Sequence, residues 1–409
     1  MDRKWRTLII VCVAIFMLLL DITIVNVALP RIQRDLHTSF TDLQWVVDAY
    51  SLMLATVMLT AGSLGDLLGR KRVFLVGIAL FTLASALCGS ATSPLWLILA
   101  RGGQGIGGAV MFAVSLALLS QEFHGRERGT AFGIWGATIG AAVAIGPLVG
   151  GALTSAAGWR WIFFVNLPIG AACVVFGARV LHESRDEEHG GFDFLGMATL
   201  SAGLFALVLV LLRGNDWGWS SGRVVGLFAG AVVFLVAFTL IELRQEYPMF
   251  DPRLFRVPAF AGAQITAFAI SSAMFAQFLF LTLYLQNVLG LSPIQTGLRF
   301  LPLSVVSFFV APLAATAVSV VPPRQAGMAA GVNNTFRQVG IATGIAGLGA
   351  IFQTYYRPGG TRAEFVHGLN DILLVATFVA LAGAVLAFVL VRAEDFVASG
   401  APQPAADAA

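Results

Sequence analysis

Apolar residues fill this chain in long blocks, and polar residues gather in the short stretches between them. From Leu8 to Leu29 only Asp21, Thr23 and Asn26 interrupt an otherwise apolar run. Runs of 18 or more such residues suit a helix crossing a hydrocarbon core about 30 Å thick at about 1.5 Å rise per residue. The pattern therefore predicts twelve spanning helices, at 8–29, 43–66, 73–91, 95–120, 129–154, 160–182, 195–213, 222–242, 260–287, 293–320, 325–352 and 370–391. The predicted fold class is all-α, a polytopic membrane protein.

The widest breaks in the pattern fall at 183–194 and 243–259. They divide the chain into a six-helix bundle (1–182), a linking helix pair with its loop (183–259) and a shorter four-helix bundle (260–392). An Ala/Pro-rich tail of disordered composition (393–409) follows.

Composition supports lipid as the main solvent. Charged residues make up 11% of the chain, against roughly 25% in soluble domains. The basic start (Arg3, Lys4, Arg6) runs into an apolar segment without a small-residue cleavage site, and reads as the first span rather than a signal peptide. Cys12, Cys88 and Cys173 lie in separate apolar runs with no CxxC spacing, so neither a disulfide framework nor a metal site is expected. The net charge of +3 forms no basic stripe, which argues against a nucleic-acid partner. No metal-ligand cluster, phosphate loop or nucleophile–base pair suggests an enzyme or a cofactor. With the amino terminus inside, about 15 basic residues fall on inner segments, about 7 on outer ones and about 3 within the spans; that bias places both termini in the cytoplasm.

A carboxylate in hydrocarbon is costly unless it faces protein or water, which makes Asp21 a functional candidate. Counting along the helices puts Asp21, Asp48 and Arg101 at one depth, so a single ion-paired or solvated cluster is expected. Separate snorkelling of Asp48 and Arg101 is the bland alternative. Between helices 2 and 3, Gly62, Gly65, Asp66, Gly69, Arg70 and Lys71 make a tight basic turn. Helix 4 continues from Arg101 through Gln104 into Gly105, Gly107 and Gly108, and helix 5 carries Gly146, Pro147, Gly150 and Gly151. Small residues at this spacing allow close helix packing. The second set is either a plain tight contact or a bendable seam against the other bundle.

These stretches resemble the signature motifs of the major facilitator superfamily, specifically its fourteen-helix drug:proton antiporters. Asp21 to Pro30 is similar to the helix 1 pattern, 62–72 to the cytoplasmic gating turn, Arg101 to Gly108 to the helix 4 motif and Gly146 to Gly151 to the helix 5 antiporter motif. Gly158 to Pro168 is also typical. The resemblance implies a two-bundle transporter in the cell membrane, a monomer exporting small molecules by alternating access. The proton gradient would drive it, without a cofactor. In such a transporter Asp21, Asp48 and Arg101 are the candidates for proton coupling or ion pairing, Asp66 and Arg70 for the inner gate, and Asn26, Gln104, Asn333, Asn334 and Arg337 for the cavity lining. For Arg337 the sequence leaves three partners open, namely backbone carbonyls, a substrate anion or Asp21. The chain departs from the family in lacking two helices between Ala314 and Val320. Residues 260–352 contain Arg299 and Arg337 but no Asp or Glu, so a proton-carrying acid must come from the first bundle. Two other readings stand beside this one: an exporter of one endogenous, anionic metabolite, and a shortened relative that does not transport.

Overall fold

The computed structural model describes residues 2–185, 193–245, 250, 252–291, 295, 298–299, 326–356 and 360–390. Helices make up its regular structure, and no strand occurs among the described residues. Element α1 runs Arg3–Leu36, α2 Phe40–Leu68, α3 Arg70–Gly89, α4 Pro94–Glu122 and α5 Gly125–Ala156. A short α6 (Trp161–Phe164) precedes α7 (Asn166–Val180). Then come α8 Phe194–Trp217, α9 Gly222–Glu242, α10 Pro258–Leu283, α11 Ala326–Tyr355 and α12 Arg362–Leu390.

Local chemistry sets several of these boundaries. Ser39, Ser93, Asp193 and Ser221 cap α2, α4, α8 and α9 by accepting a backbone N–H from the first turn. His37 ends α1 in the left-handed conformation, its N–H donating to the Gln33 carbonyl. The turn from α2 to α3 passes through Gly69 at φ 108°, a conformation that penalises any side chain.

Several expected spans differ in detail, and α1 runs on to Leu36, seven residues past its expected end. The segment predicted as one helix at 160–182 is divided at Val165 into α6 and α7. The last helix begins at Arg362 rather than 370, because Glu364 and Thr361 cap it reciprocally. The expected helix at 293–320 and the tail at 393–409 lie almost wholly outside the described residues. Eight helices among the described residues are long and apolar enough to cross a membrane, or nine if the bent α5 counts as one span.

Packing in the first 180 residues joins α1 to α5 and α7, α2 to α4, and α3 to α4 and α7. The later helices α10, α11 and α12 pack on one another. Between them, α8 lies against both α2 and α11, and α11 also reaches α2 and α4. Leu52, Ala55, Val208 and Ala342 form the shared core of that three-helix seam. The outward faces of α9 and α12 are apolar, with Phe388 88% and Val233 64% exposed. Such faces belong in hydrocarbon rather than water.

Helix α5 bends by 42° between Glu127–Val143 and Ile145–Ala156. Pro147 explains the position: it has no N–H to offer Val143, four residues back, and its ring crowds that carbonyl.

Candidate functional site

The deepest polar feature is built around Asp21 of α1. Its carboxylate is 1% exposed and accepts from three side chains. Arg101 Nη1 of α4 donates to Oδ2 at 2.5 Å; Gln104 Nε2 and Asn166 Nδ2 donate to Oδ1 at 2.9 and 3.1 Å. Each acceptor is thus already met by an N–H donor. Arg101 is itself 1% exposed and further held by Gln104 Oε1 at 2.7 Å and the Val46 carbonyl at 3.1 Å. Its guanidinium lies 4.2 Å from the centre of the Tyr50 ring. Ser85 of α3 accepts from Gln104 and Asn166 while donating to the Phe163 carbonyl, and Cys88 donates its thiol to Gln104 Oε1. The result is a closed, dry network drawn from five helices and the α6 turn. A buried ion pair is tolerable when the remaining lone pairs and protons are satisfied in this way.

The glycines of α4 permit this closeness. A Cβ at Gly105 would run into the Tyr50 carbonyl oxygen, and one at Gly107 into the backbone of Phe81 on α3. Helices α2 and α3 therefore approach α4 backbone to backbone, and Arg101, one turn before Gly105, is buried in that contact.

Asp48 does not join this network, contrary to the single cluster expected from depth. It faces α8, where Arg213 Nη2 lies 3.6 Å away, and its side chain is 18% exposed. Arg213 also donates to Asp216 at 2.9 Å and lies over the Trp45 ring at 4.2 Å. The reason is angular. Val46 and Tyr50 look toward Arg101, and a residue between them on a 3.6-residue helix points the opposite way.

At the end holding Arg70–Arg72, Asp66 pairs with Arg70 at 2.7 Å. The turn there is tied to the segment after α7: the Arg70 N–H donates to the Ser184 carbonyl, the Lys71 N–H to Glu183 Oε1, and Lys71 Nζ to the Ala178 carbonyl. Gly69 sits directly against the Glu183 carboxylate, and Gly62 is buried near the end of α2.

The glycines of α5 do not face the other bundle, as the seam reading expected. Gly146 seats on Thr23 and Gly150 on the Ile24 backbone, both on α1, and Pro147 and Gly151 are buried beside them. They make the tight α1–α5 contact instead. Of the expected cavity residues, Gln104 is wholly buried inside the Asp21 network and lines no cavity. Asn26 is exposed and donates to its own helix at the Ile22 carbonyl. Asn333 of α11 donates to Gln264 of α10 at 3.3 Å, Asn334 is 6% exposed, and Arg337 is partly exposed.

The family model for the Major Facilitator Superfamily matches residues 11–317. The chain belongs to that superfamily. As a superfamily member it is a multi-pass membrane protein with relatives among curated proteins. It is 40% identical over 322 residues to the tetracenomycin C resistance and export protein of Streptomyces glaucescens, covering 78% of this chain and 59% of that one. A multidrug resistance protein, Stp, of Mycobacterium tuberculosis is 41% identical over 75% of this chain and 57% of its own. The chain thus spans less than two thirds of the length of these relatives. The puromycin resistance protein pur8 of Streptomyces alboniger matches end to end, 33% identical over 98% of this chain and 95% of its own. That alignment runs over 482 positions, more than the 409 residues present here, so pur8 holds residues with no counterpart in this chain. Among solved structures, the human organic anion transporter MFSD10 shares the fold at TM-score 0.58 and 15% identity, covering 95% of this chain and 100% of that one.

Three members of the site were not singled out from sequence. Arg213 is legible as a basic residue closing the apolar run that ends at Leu212, at the end opposite the basic turns. Asn166 falls within the Gly158 to Pro168 stretch whose resemblance is noted above, without a role of its own; Ser85 is legible only as a lone polar residue in an apolar span, a signal shared with helix-bonded residues such as Thr56.

Proposed function

We propose that this superfamily member is a proton-coupled exporter of drug-like small molecules working by alternating access. Its place is the cell membrane, as a monomer with both termini and the Arg70 end in the cytoplasm. The relatives named for resistance and export support the cargo class. The observation that carries the coupling is the Asp21 carboxylate, whose two oxygens face only N–H donors. The O–H of a protonated acid would find no acceptor among the three groups that bond Asp21, since each of them approaches with an N–H. Asp21 therefore takes a proton only after Arg101 and its companions withdraw, which links protonation to helix movement. The conformation described here is then the deprotonated, locked one, with Asp66, Arg70 and Lys71 holding the cytoplasmic turn. Asp48 is the more accessible acid and serves as the entry point for protons from the opposite side. The membrane potential adds about 2.3 kcal/mol per charge per 100 mV to such an exchange.

The test is dye efflux in inverted vesicles under an imposed proton gradient. Asp21→Glu is expected to retain coupling weakly and Asp21→Asn to abolish it at equal protein level. Unchanged coupling in Asp21→Asn would remove Asp21 from the mechanism. Absence of any gradient-driven flux in the wild-type chain would favour the reading of a shortened relative that does not transport.

A further inference from the structure

Among the described residues, Arg101, Arg213 and Arg337 sit inside long helices, and their surroundings differ. Arg101 faces Asp21, and Arg213 faces Asp48 and Asp216. Arg337, twelve residues into α11, has no hydrogen bond or ion pair with any described residue, and it is partly exposed. Sequence leaves it little to find. No Asp or Glu occurs between Asp251 and Glu364. The acids on helices packed against α11 are engaged elsewhere. On α2, Asp42 meets Ser39, Asp48 meets Arg213 and Asp66 meets Arg70. Asp216 of α8 meets Arg213, Glu122 of α4 meets His182, Glu364 of α12 caps its own helix and Asp371 accepts from Tyr355.

The placement of Arg337 is set by its neighbours. Asn333 one turn before it bonds Gln264 of α10, and Gly340 and Gly344 after it press against the backbone at Phe268 and Ser272 of the same helix. Residues 333, 337, 340 and 344 share one face, so Arg337 sits on the side of α11 turned to α10. A cation held inside a membrane protein without a counter-charge is expensive, and its retention points to an anion that arrives from outside the chain.

We propose that Arg337 is the recognition group for the anionic end of the transported molecule, so that the substrates are amphipathic organic acids. The planar guanidinium receives a carboxylate or a similar oxyanion through two parallel hydrogen bonds. This names the substrate class within the export reading above, and rests on it.

The test measures binding rather than flux, using the purified full chain in nanodiscs near neutral pH. The probes are 2-naphthoate and 2-naphthamide, which share the ring system and differ in charge. The wild-type chain is expected to bind naphthoate about tenfold or more tighter than naphthamide. Arg337→Gln should abolish that preference, chiefly by weakening naphthoate binding; Arg337→Lys should keep part of it. Equal affinity for the two probes in the wild-type chain overturns the proposal, as does a preference that survives Arg337→Gln. The wild-type comparison decides even if the Gln variant fails to fold. Preferential binding without gradient-driven efflux would sink the export reading alone.

Discussion

Replacing Asp21 by Asn tests the central network directly, because Asn is not a neutral copy of this carboxylate. Oδ2 accepts from Arg101 while Oδ1 accepts from Gln104 and Asn166. Whichever way the Asn amide turns, its NH2 meets an N–H donor and one acceptor is lost. Arg101, 1% exposed, is left as a buried cation. The direct Coulomb attraction removed is about 4 kcal/mol for charge centres about 4 Å apart at an effective dielectric of about 20. Breaking a buried pair by taking away one partner costs about 3–5 kcal/mol net, since desolvation has already been incurred. Asp21→Asn is therefore expected to lower the unfolding free energy by about 3–5 kcal/mol, and Arg101→Gln by a similar amount. The double variant should recover at least about 2 kcal/mol relative to the sum, because neither charge is then stranded. The measurement is denaturant unfolding in mixed micelles, followed by tryptophan fluorescence. An Asp21→Asn protein within about 0.5 kcal/mol of wild type, or strictly additive losses, would refute a dry, mutually dependent pair.

The other acid gives the contrasting case: Asp48→Asn should cost about 1 kcal/mol or less in the same unfolding assay, because Asp48 is partly exposed and Arg213 keeps Asp216. Gly105→Ala should lose about 1–3 kcal/mol, since its new methyl meets the Tyr50 backbone rather than a movable side chain. Gly226→Ala on α9, with open space beyond the helix, should match wild type or exceed it slightly. Gly69→Ala combines a φ of 108° with the Glu183 carboxylate and should cost about 1–3 kcal/mol. Limited proteolysis would read that variant as faster cleavage after Arg70–Arg72.

Hydropathy made the helices legible because lipid leaves a spanning segment few other choices. Depth along each helix was legible too, and it correctly brought Asp21 and Arg101 to one level. Direction around the axis was not. Asp48 shares their level yet points to α8, since its orientation depends on which neighbours α2 acquires, and the period alone does not name them. The same limit explains the glycines at 146–151. Their spacing announces a close contact, but only the assembled helices show that α1 is the partner. Gln104 is offered as a cavity residue by the resemblance alone, whereas in the structure its amide donates to the Asp21 carboxylate and its oxygen accepts from Arg101. Arg213 stands at the end of the helix expected at 195–213, but α8 continues to Trp217, about a full turn further, which places it inside the helix.

The bend at Pro147 has a mechanical consequence. With no Cβ at Gly146 or Gly150, α5 seats without slack on the Thr23 side chain and the Ile24 backbone, only two and three residues past the carboxylate. The segment of α5 beyond the kink and the middle of α1 thus travel as one lever. Any swing of that segment, whose ladder Pro147 has already weakened, tugs on the residue that Arg101 holds.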